Sequence, residues 1–339
     1  MMKNKVIAIA IASALATPLV AQAKDAKSNM PKVYGKAHIS YGTVDTKVNG
    51  TTTVDNWQAR SHASRFGIKG DRDLGDGLKA VYKFEWQIDY EQKDSDGDDN
   101  GGLSRRNMYV GLKGGFGEFR IGRHDTPLKM AQGKFDQFGD TDGDLKNAGD
   151  EDGENRLDNI LVYLGKSGNV SYQLAVAPGE DSAGSTADEG AADTVSAAVK
   201  YNNGPLHLAL AHDSYENGAN LANDSITRFV GTYKFNGMQV GVLAQSGVEA
   251  ADSATAEEDW LGLSFNAKVG SKGKVKAQYI QVEDNQTNKL EGTLMAVGYD
   301  YKFDKKTSGY VMYSNLEEEQ SGTKTLEKSF VGVGMVLKF

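Results

Sequence analysis

After residue 23, apolar and polar residues alternate with period two, and no stretch sustains the 3.6-residue repeat of an amphipathic helix. The clearest segment is LKAVYKFEWQIDY. Leu78, Ala80, Tyr82, Phe84, Trp86, Ile88 and Tyr90 share one face of it, and Lys79, Val81, Lys83, Glu85, Gln87 and Asp89 the other. Its 13 residues exceed the roughly 9–11 that a tilted strand needs to cross a bilayer. The charged face would be costly in a packed core and is cheap beside water. The first such strand carries Val33, Gly35, Ala37, Ile39 and Tyr41 on its apolar face, and SYQLAVA, TVSAAVKY, LHLALAH, TRFVGTYKF, MQVGVLA, LGLSFNA, KVKAQYI and TLMAVGYDYKF repeat the pattern. These segments number about sixteen, the even count expected of a single-chain bacterial barrel. The pattern therefore predicts an all-β fold: a 16-stranded antiparallel transmembrane β-barrel.

The chain ends on SFVGVGMVLKF, with Val331, Val333, Met335, Leu337 and Phe339 on one face. Facing lipid, and paired with the strand that begins near Val33, this segment closes the barrel and leaves no edge.

Short turns at Gly114–Gly117, Lys166–Asn169, Asn202–Gly204, Asn236-Gly237 and Asp304–Lys306 are interleaved with longer polar connections at Glu91–Leu103, Asp125–Asn155, Gly179–Asp193 and Gly247–Asp259. One short end and one long end match periplasmic turns and extracellular loops. Trp57, Trp86 and Trp260 are read as members of the interfacial aromatic girdles.

Residues 1–23 read as a cleavable export signal: Lys3 and Lys5, an apolar run, then Ala21-Gln22-Ala23. The mature chain, 24–339, is then one barrel domain placed in the outer membrane of a Gram-negative cell. Losing the signal takes the formal net charge from -8 to -10, which argues against a nucleic-acid partner. With no cysteine, the fold has no disulfide framework or thiol chemistry.

Enzyme signatures are absent. There is no G-x-S-x-G elbow, Walker loop or H-E-x-x-H, and His38, His62, His124, His207 and His212 form no recognisable pair in sequence.

Several strings match a known family. VYGKA on the first strand, SRFGIKGDRDLGDGLKAVYKFEW, RRNMYVGLKGGFGEFRIGRHDTPL and ENRLDNILVY together resemble the general bacterial porins, from Lys32 to the terminal Phe339. The resemblance implies a homotrimer of 16-stranded barrels in outer-membrane lipid, each a passive diffusion channel for ions and small hydrophilic solutes, with no cofactor. It implies a third extracellular loop, here 125–155, folded inward to narrow the pore. It also implies that the terminal aromatic, Phe339, is read during barrel assembly.

By the same resemblance, Lys36 in YGKA, Arg65 in RFGIKG, Arg106 in RNMYVGL and Arg156 in RLDNILVY correspond to basic residues on the barrel wall at the constriction. Arg65 and Lys36 also fall on the polar faces of their strands, whereas Arg105 beside Arg106 leaves that strand's facing open. The acids expected opposite them are Asp136, Asp140 and Asp142. The family's Pro-Glu-Phe-Gly has Gln137 at the glutamate position here, which leaves the charge balance of the constriction open.

Asp140, Asp142, Asp144 and Glu151 also have the spacing of positions 1, 3, 5 and 12 of a calcium loop. Leu145 stands where that loop needs glycine, so a solvated acidic loop is the better reading, with adventitious calcium or magnesium binding as the alternative. For the whole chain, the alternatives are a non-conducting barrel serving as adhesin or receptor through its acidic loops, and a substrate-selective channel.

Overall fold

Period-two alternation requires that each strand separate two environments, and the computed structural model shows which they are. It describes residues 30–89, 102–149, 153–179, 190–215, 225–251, 254–284 and 290–339; the export signal of residues 1–23 lies outside them. The strands are β1 (Lys32–Val48), β2 (Thr51–Ser61), β3 (Ser64–Gly75), β4 (Leu78–Ile88), β5 (Leu103–Gly114), β6 (Gly117–Asp125), β7 (Arg156–Ser167), β8 (Val170–Ala177), β9 (Thr194–Asn203), β10 (Leu206–Tyr215), β11 (Ser225–Phe235), β12 (Met238–Ala251), β13 (Ala254–Val269), β14 (Gly273–Asp284), β15 (Leu290–Lys302), β16 (Thr307–Gln320) and β17 (Thr323–Lys338).

These segments form one antiparallel sheet closed on itself. The end of β17 pairs with β1 from Lys36↔Lys338 to Val48↔Leu326. β2 and β3 are two halves of one stave. β1 pairs with β3 over Lys32–Lys36 and with β2 over Ile39–Val48, and the break falls at His62-Ala63, where Ala63 has φ 47°. Sixteen staves therefore make the barrel.

On the outer surface, Ile39, Tyr41, Leu261, Leu263, Val331 and Val333 stand exposed, while the alternate positions His38, Ser40, Ser264 and Phe330 are buried inside. Apolar-out alternation is what a lipid environment demands of a barrel. Tight turns close one end, and at Asn236-Gly237 both residues take positive φ (46° and 79°), matching the twist of the hairpin.

The other end departs from the expected run of long loops. Gly247–Asp259 is not a loop: β12 runs on to Ala251 and β13 begins at Ala254, paired from Met238↔Ala267 to Ala251↔Ala254. Polar and small residues concealed these strand ends, because beyond the bilayer both faces of a strand meet water and alternation is no longer required.

The connection between β6 and β7 carries the core. It contains the helix α1 (Pro127–Ala131) and a 3-10 turn at Leu145–Asn147. Leu128, Phe135, Leu145 and Ala148 pack with Val230, Leu243, Trp260, Ile280 and Leu294, and Phe138 packs with Ala296, Met312 and Phe330. All the wall residues named belong to β11 to β17 and point inward. Each large apolar side chain so buried contributes roughly 1.5–3 kcal/mol, and together they hold the segment against the wall. Gly262 makes the contact feasible, since a Cβ there would lie 2.6 Å from the Phe135 ring.

Trp260 is thus not a girdle residue. It is 2% exposed, faces inward, and donates its indole N–H to Glu258. Trp57 and Trp86 do face outward, stacked on Tyr41 and Phe66.

Candidate pore constriction

The segment between β6 and β7 is shaped by its own polar residues. Thr126 caps α1, accepting from Lys129 N at 3.2 Å, with Pro127 in the first turn, where a missing N–H costs nothing. Thr126 N bonds Asn155 O at 3.2 Å, so the two ends of the segment meet. Asp144 caps the 3-10 turn, and its other oxygen accepts from Asp140 N. Asp136 accepts from Phe138 N at 2.7 Å and Leu145 N at 3.3 Å. Asp136 and Asp144 therefore hold the loop's backbone, whereas Asp140 and Asp142 reach across to the wall.

Lys36 and Arg65 are register partners on β1 and β3. Both converge on the same oxygen: Lys36 Nζ lies 2.6 Å and an Arg65 guanidinium nitrogen 2.7 Å from Asp140 Oδ2. Arg60 on β2 donates to Asp142. Arg106 faces inward, bonding Gln87 Oε1 at 2.8 Å and Glu85 Oε1 at 3.2 Å, while Arg105 points away with most of its side chain exposed. Arg156 at the start of β7 pairs with Asp125 at 2.9 Å and bonds Asn107 at 3.2 Å.

Two classes of loop carboxylate result. Burial by itself would raise Asp140, but Arg65 and Lys36 overcome it and hold its carboxyl well below the usual carboxylate range. Burial pushes Asp136 well above that range, with the Asp144 charge beside it adding to the effect, and burial raises Asp144 too. Glu154 is likewise raised by burial, with Arg228 pulling the other way.

An open cavity of about 670 Å³ lies between the loop and the wall formed by β2 to β7. Arg60, Arg106, Arg123, Lys129 and Arg156 line it, as do Asp136, Asp140 and Asp142. Lys36 and Arg65 are not on its lining and meet the loop through Asp140.

Some residues of this region were not picked out from the sequence. Arg60 is one, although it lies on the face opposite Trp57 by simple alternation. The histidines also need correcting, because two of them do pair: the His38 and His62 rings lie 4.9 Å apart, His38 Nε2 is 2.9 Å from the Tyr310 hydroxyl, and His62 Nε2 is 2.6 Å from Ser40 Oγ. Their proximity comes from a cross-strand neighbour at the β2–β3 break, which spacing along one strand does not show.

The calcium-like spacing does not converge in space. Asp140 engages Lys36 and Arg65, Asp142 engages Arg60, and Asp144 caps its own turn. Glu151 lies outside the described residues. Among the described residues no three acidic or histidine side chains gather around one point. Leu145 is fully buried in the apolar core.

Residues 8–321 match the family described as Gram-negative porin. The major outer membrane protein P.IB of Neisseria meningitidis serogroup B is 30% identical over 301 residues, covering 81% of this chain and 83% of that protein. Outer membrane porin protein 32 of Delftia acidovorans is 26% identical over 348 residues, covering 99% and 95%. The solved anion-selective porin from Comamonas acidovorans superposes with a TM-score of 0.77 at 23% identity, covering 91% of this chain and 99% of that one. The chain belongs to the Gram-negative porin family: it is a porin of the outer membrane, a closed barrel that forms a channel.

Proposed function

We propose that ions and small hydrophilic solutes cross passively between the loop and the β1–β7 wall, and that Lys36, Arg60, Arg65, Arg106 and Arg156 on one side and Asp140 and Asp142 on the other form the constriction. The observation that carries this reading is the single Asp140 oxygen shared by Lys36 and Arg65. Fixed charges concentrated at the edge of an aqueous gap orient dipolar solutes and disfavour apolar ones. Asp136, bonded to loop backbone and pushed toward its neutral form, is assigned to loop shape rather than to the field.

Cations outnumber acids on the lining of the passage, where Arg60, Arg106, Arg123, Lys129, Lys146, Arg156 and Lys328 face Asp89, Asp136, Asp140, Asp142, Asp144 and Glu154, and burial raises Asp136, Asp144 and Glu154. We therefore assign the channel a preference for anions, the selectivity named for the Comamonas acidovorans porin. Reversal potentials in a planar bilayer across a potassium chloride gradient test it. A potential of cation-selective sign refutes the assignment.

Three further assignments complete the reading. The chain works as a homotrimer, as its resemblance to the general porins implies; a monomeric mass in mild detergent would refute this. Residues 1–23 are removed on export, which N-terminal sequencing of the mature protein checks. Phe339 serves as the assembly signal, and normal insertion of a Phe339→Ala chain in cells refutes that role.

A further inference from the structure

Away from the passage, at the root of the loop, a carboxylate has no part in the reading above. Asp213 on β10 is 0% exposed, and three hydroxyls surround it. Ser196, its register partner on β9, donates to Oδ1; Tyr215, two residues along β10, donates to Oδ2 at 2.8 Å; and Thr126 donates from the loop itself. Each hydroxyl also accepts a hydrogen bond from the loop. Leu128 N donates to Ser196 Oγ at 3.3 Å, Asn155 Nδ2 to the Tyr215 hydroxyl at 2.9 Å, and Lys129 N to Thr126 Oγ1 at 3.2 Å.

We infer that Asp213 is the positioning residue of the constriction loop. A carboxylate only accepts, so every hydroxyl touching it must give up its one proton to it. That leaves each hydroxyl oxygen able only to accept from its other neighbour, and in all three cases that neighbour is a loop N–H. One wall carboxylate thereby sets the direction of three relays and holds both ends of the loop, Thr126–Lys129 and Asn155. Asp125, Lys129 and Arg156, which adjoin these ends, inherit their placement from it. Asparagine has nearly the same shape but presents an NH₂, so at least one hydroxyl loses the acceptor for its proton and the direction of that relay is no longer fixed. Buried hydrogen bonds of this kind are expensive to leave unmade.

The inference rests on the loop being the constriction, and the experiment keeps the two apart. Single channels of the reconstituted protein are recorded in potassium chloride. Asp213→Asn is expected to raise occupancy of subconductance states about tenfold, the worth of roughly one net hydrogen bond, with an unchanged reversal potential because Asp213 is sealed from the passage. Asp140→Asn is expected to do the reverse, so failure of the charge assignment leaves the Asp213 result standing. Because the chain has no cysteine, Thr126→Cys with Asp213→Cys supplies a reversible form of the same test that does not depend on Asp213→Asn folding. Oxidised channels are expected to be as quiet as wild type, and reductant to bring the substates on. Equal noise in both redox states, failure of the disulfide to form in the folded barrel, or a quiet Asp213→Asn channel overturns the inference.

Discussion

Gly35 and Phe339 exchange both backbone hydrogen bonds, each at 3.1 Å, and the Phe339 ring lies where a side chain on residue 35 would stand. A Cβ added at Gly35 would meet the ring at 2.1 Å. The ring is 58% exposed and can swing aside, so Gly35→Ala is expected to cost about 1–3 kcal/mol rather than to open the barrel. In a Phe339→Ala background the same change should cost almost nothing. Unfolding midpoints in detergent for the four chains measure this, and additive costs would show that the two residues do not interact.

Asp140 and Asp136 lie in the same loop but should respond oppositely to substitution. Asp140→Asn removes the charge that Lys36 and Arg65 share and is expected to move the reversal potential further toward that of an anion-selective pore. Asp136→Asn keeps an acceptor for Phe138 N and leaves the wall pairs of Asp140 and Asp142 untouched, so the potential should hold. Equal shifts from the two variants would return Asp136 to the constriction field.

The pH dependence has two arms. Asp140 is held low, so its bridge contributes fully above the ordinary aspartate value of about 3.9 and is lost only as pH falls beneath that range. Asp136 is raised, so its contribution is complete below the ordinary value and is lost as pH rises through the raised one, when a second charge appears beside Asp144. Selectivity should therefore stay level from neutral pH down to about 4, while loop noise grows as pH rises through the raised Asp136 value. Asp136→Asn should abolish only that second arm. A selectivity that collapses between roughly pH 6 and 4 contradicts the assignment of Asp140.

Arg228 is fully buried and paired with Glu154 at 2.7 Å, and its Nε bonds Gln245 at 2.7 Å. Arg228→Met leaves the Glu154 carboxyl buried without its partner and is expected to cost about 3–5 kcal/mol. Adding Glu154→Gln should recover much of that loss, because the double change leaves no lone charge. Unfolding midpoints of the two variants decide it, and a double mutant less stable than the single one would count against the pairing as the source.

Sequence alternation was most informative where the two faces of a strand meet different solvents. LKAVYKFEWQI and the terminal SFVGVGMVLKF each have one side in lipid, and their facing follows from period two alone. Along LGLSFNA and TLMAVGYDYKF the inner side meets the packed loop instead of water and carries small or apolar residues such as Gly262, Leu294 and Ala296, while alternation still sets Leu261, Leu263, Met295 and Val297 outside. Residue type alone assigns Trp260 to a girdle, although alternation puts it on the inner face with Gly262 and Ser264. The roles of the loop aspartates were hidden differently. Asp136, Asp140, Asp142 and Asp144 have the same side chain within nine positions, and only the turn geometry decides that two bond backbone and two reach the wall. The meeting of His38 with His62 depended on the break between β2 and β3, a local irregularity that alternation does not encode.

The packing of the loop against β11–β17 makes the two sides of the barrel mechanically unequal. On that side the sheet lies between lipid and a second protein layer, as a wall with a buttress, and it resists flexing. Over β1 to β7 the sheet is a single membrane-backed sheet with the passage in front of it. Thermal changes in the cross-section of the tube should therefore fall on the side that carries the arginines, so that the width of the passage and the spacing of its cations fluctuate together.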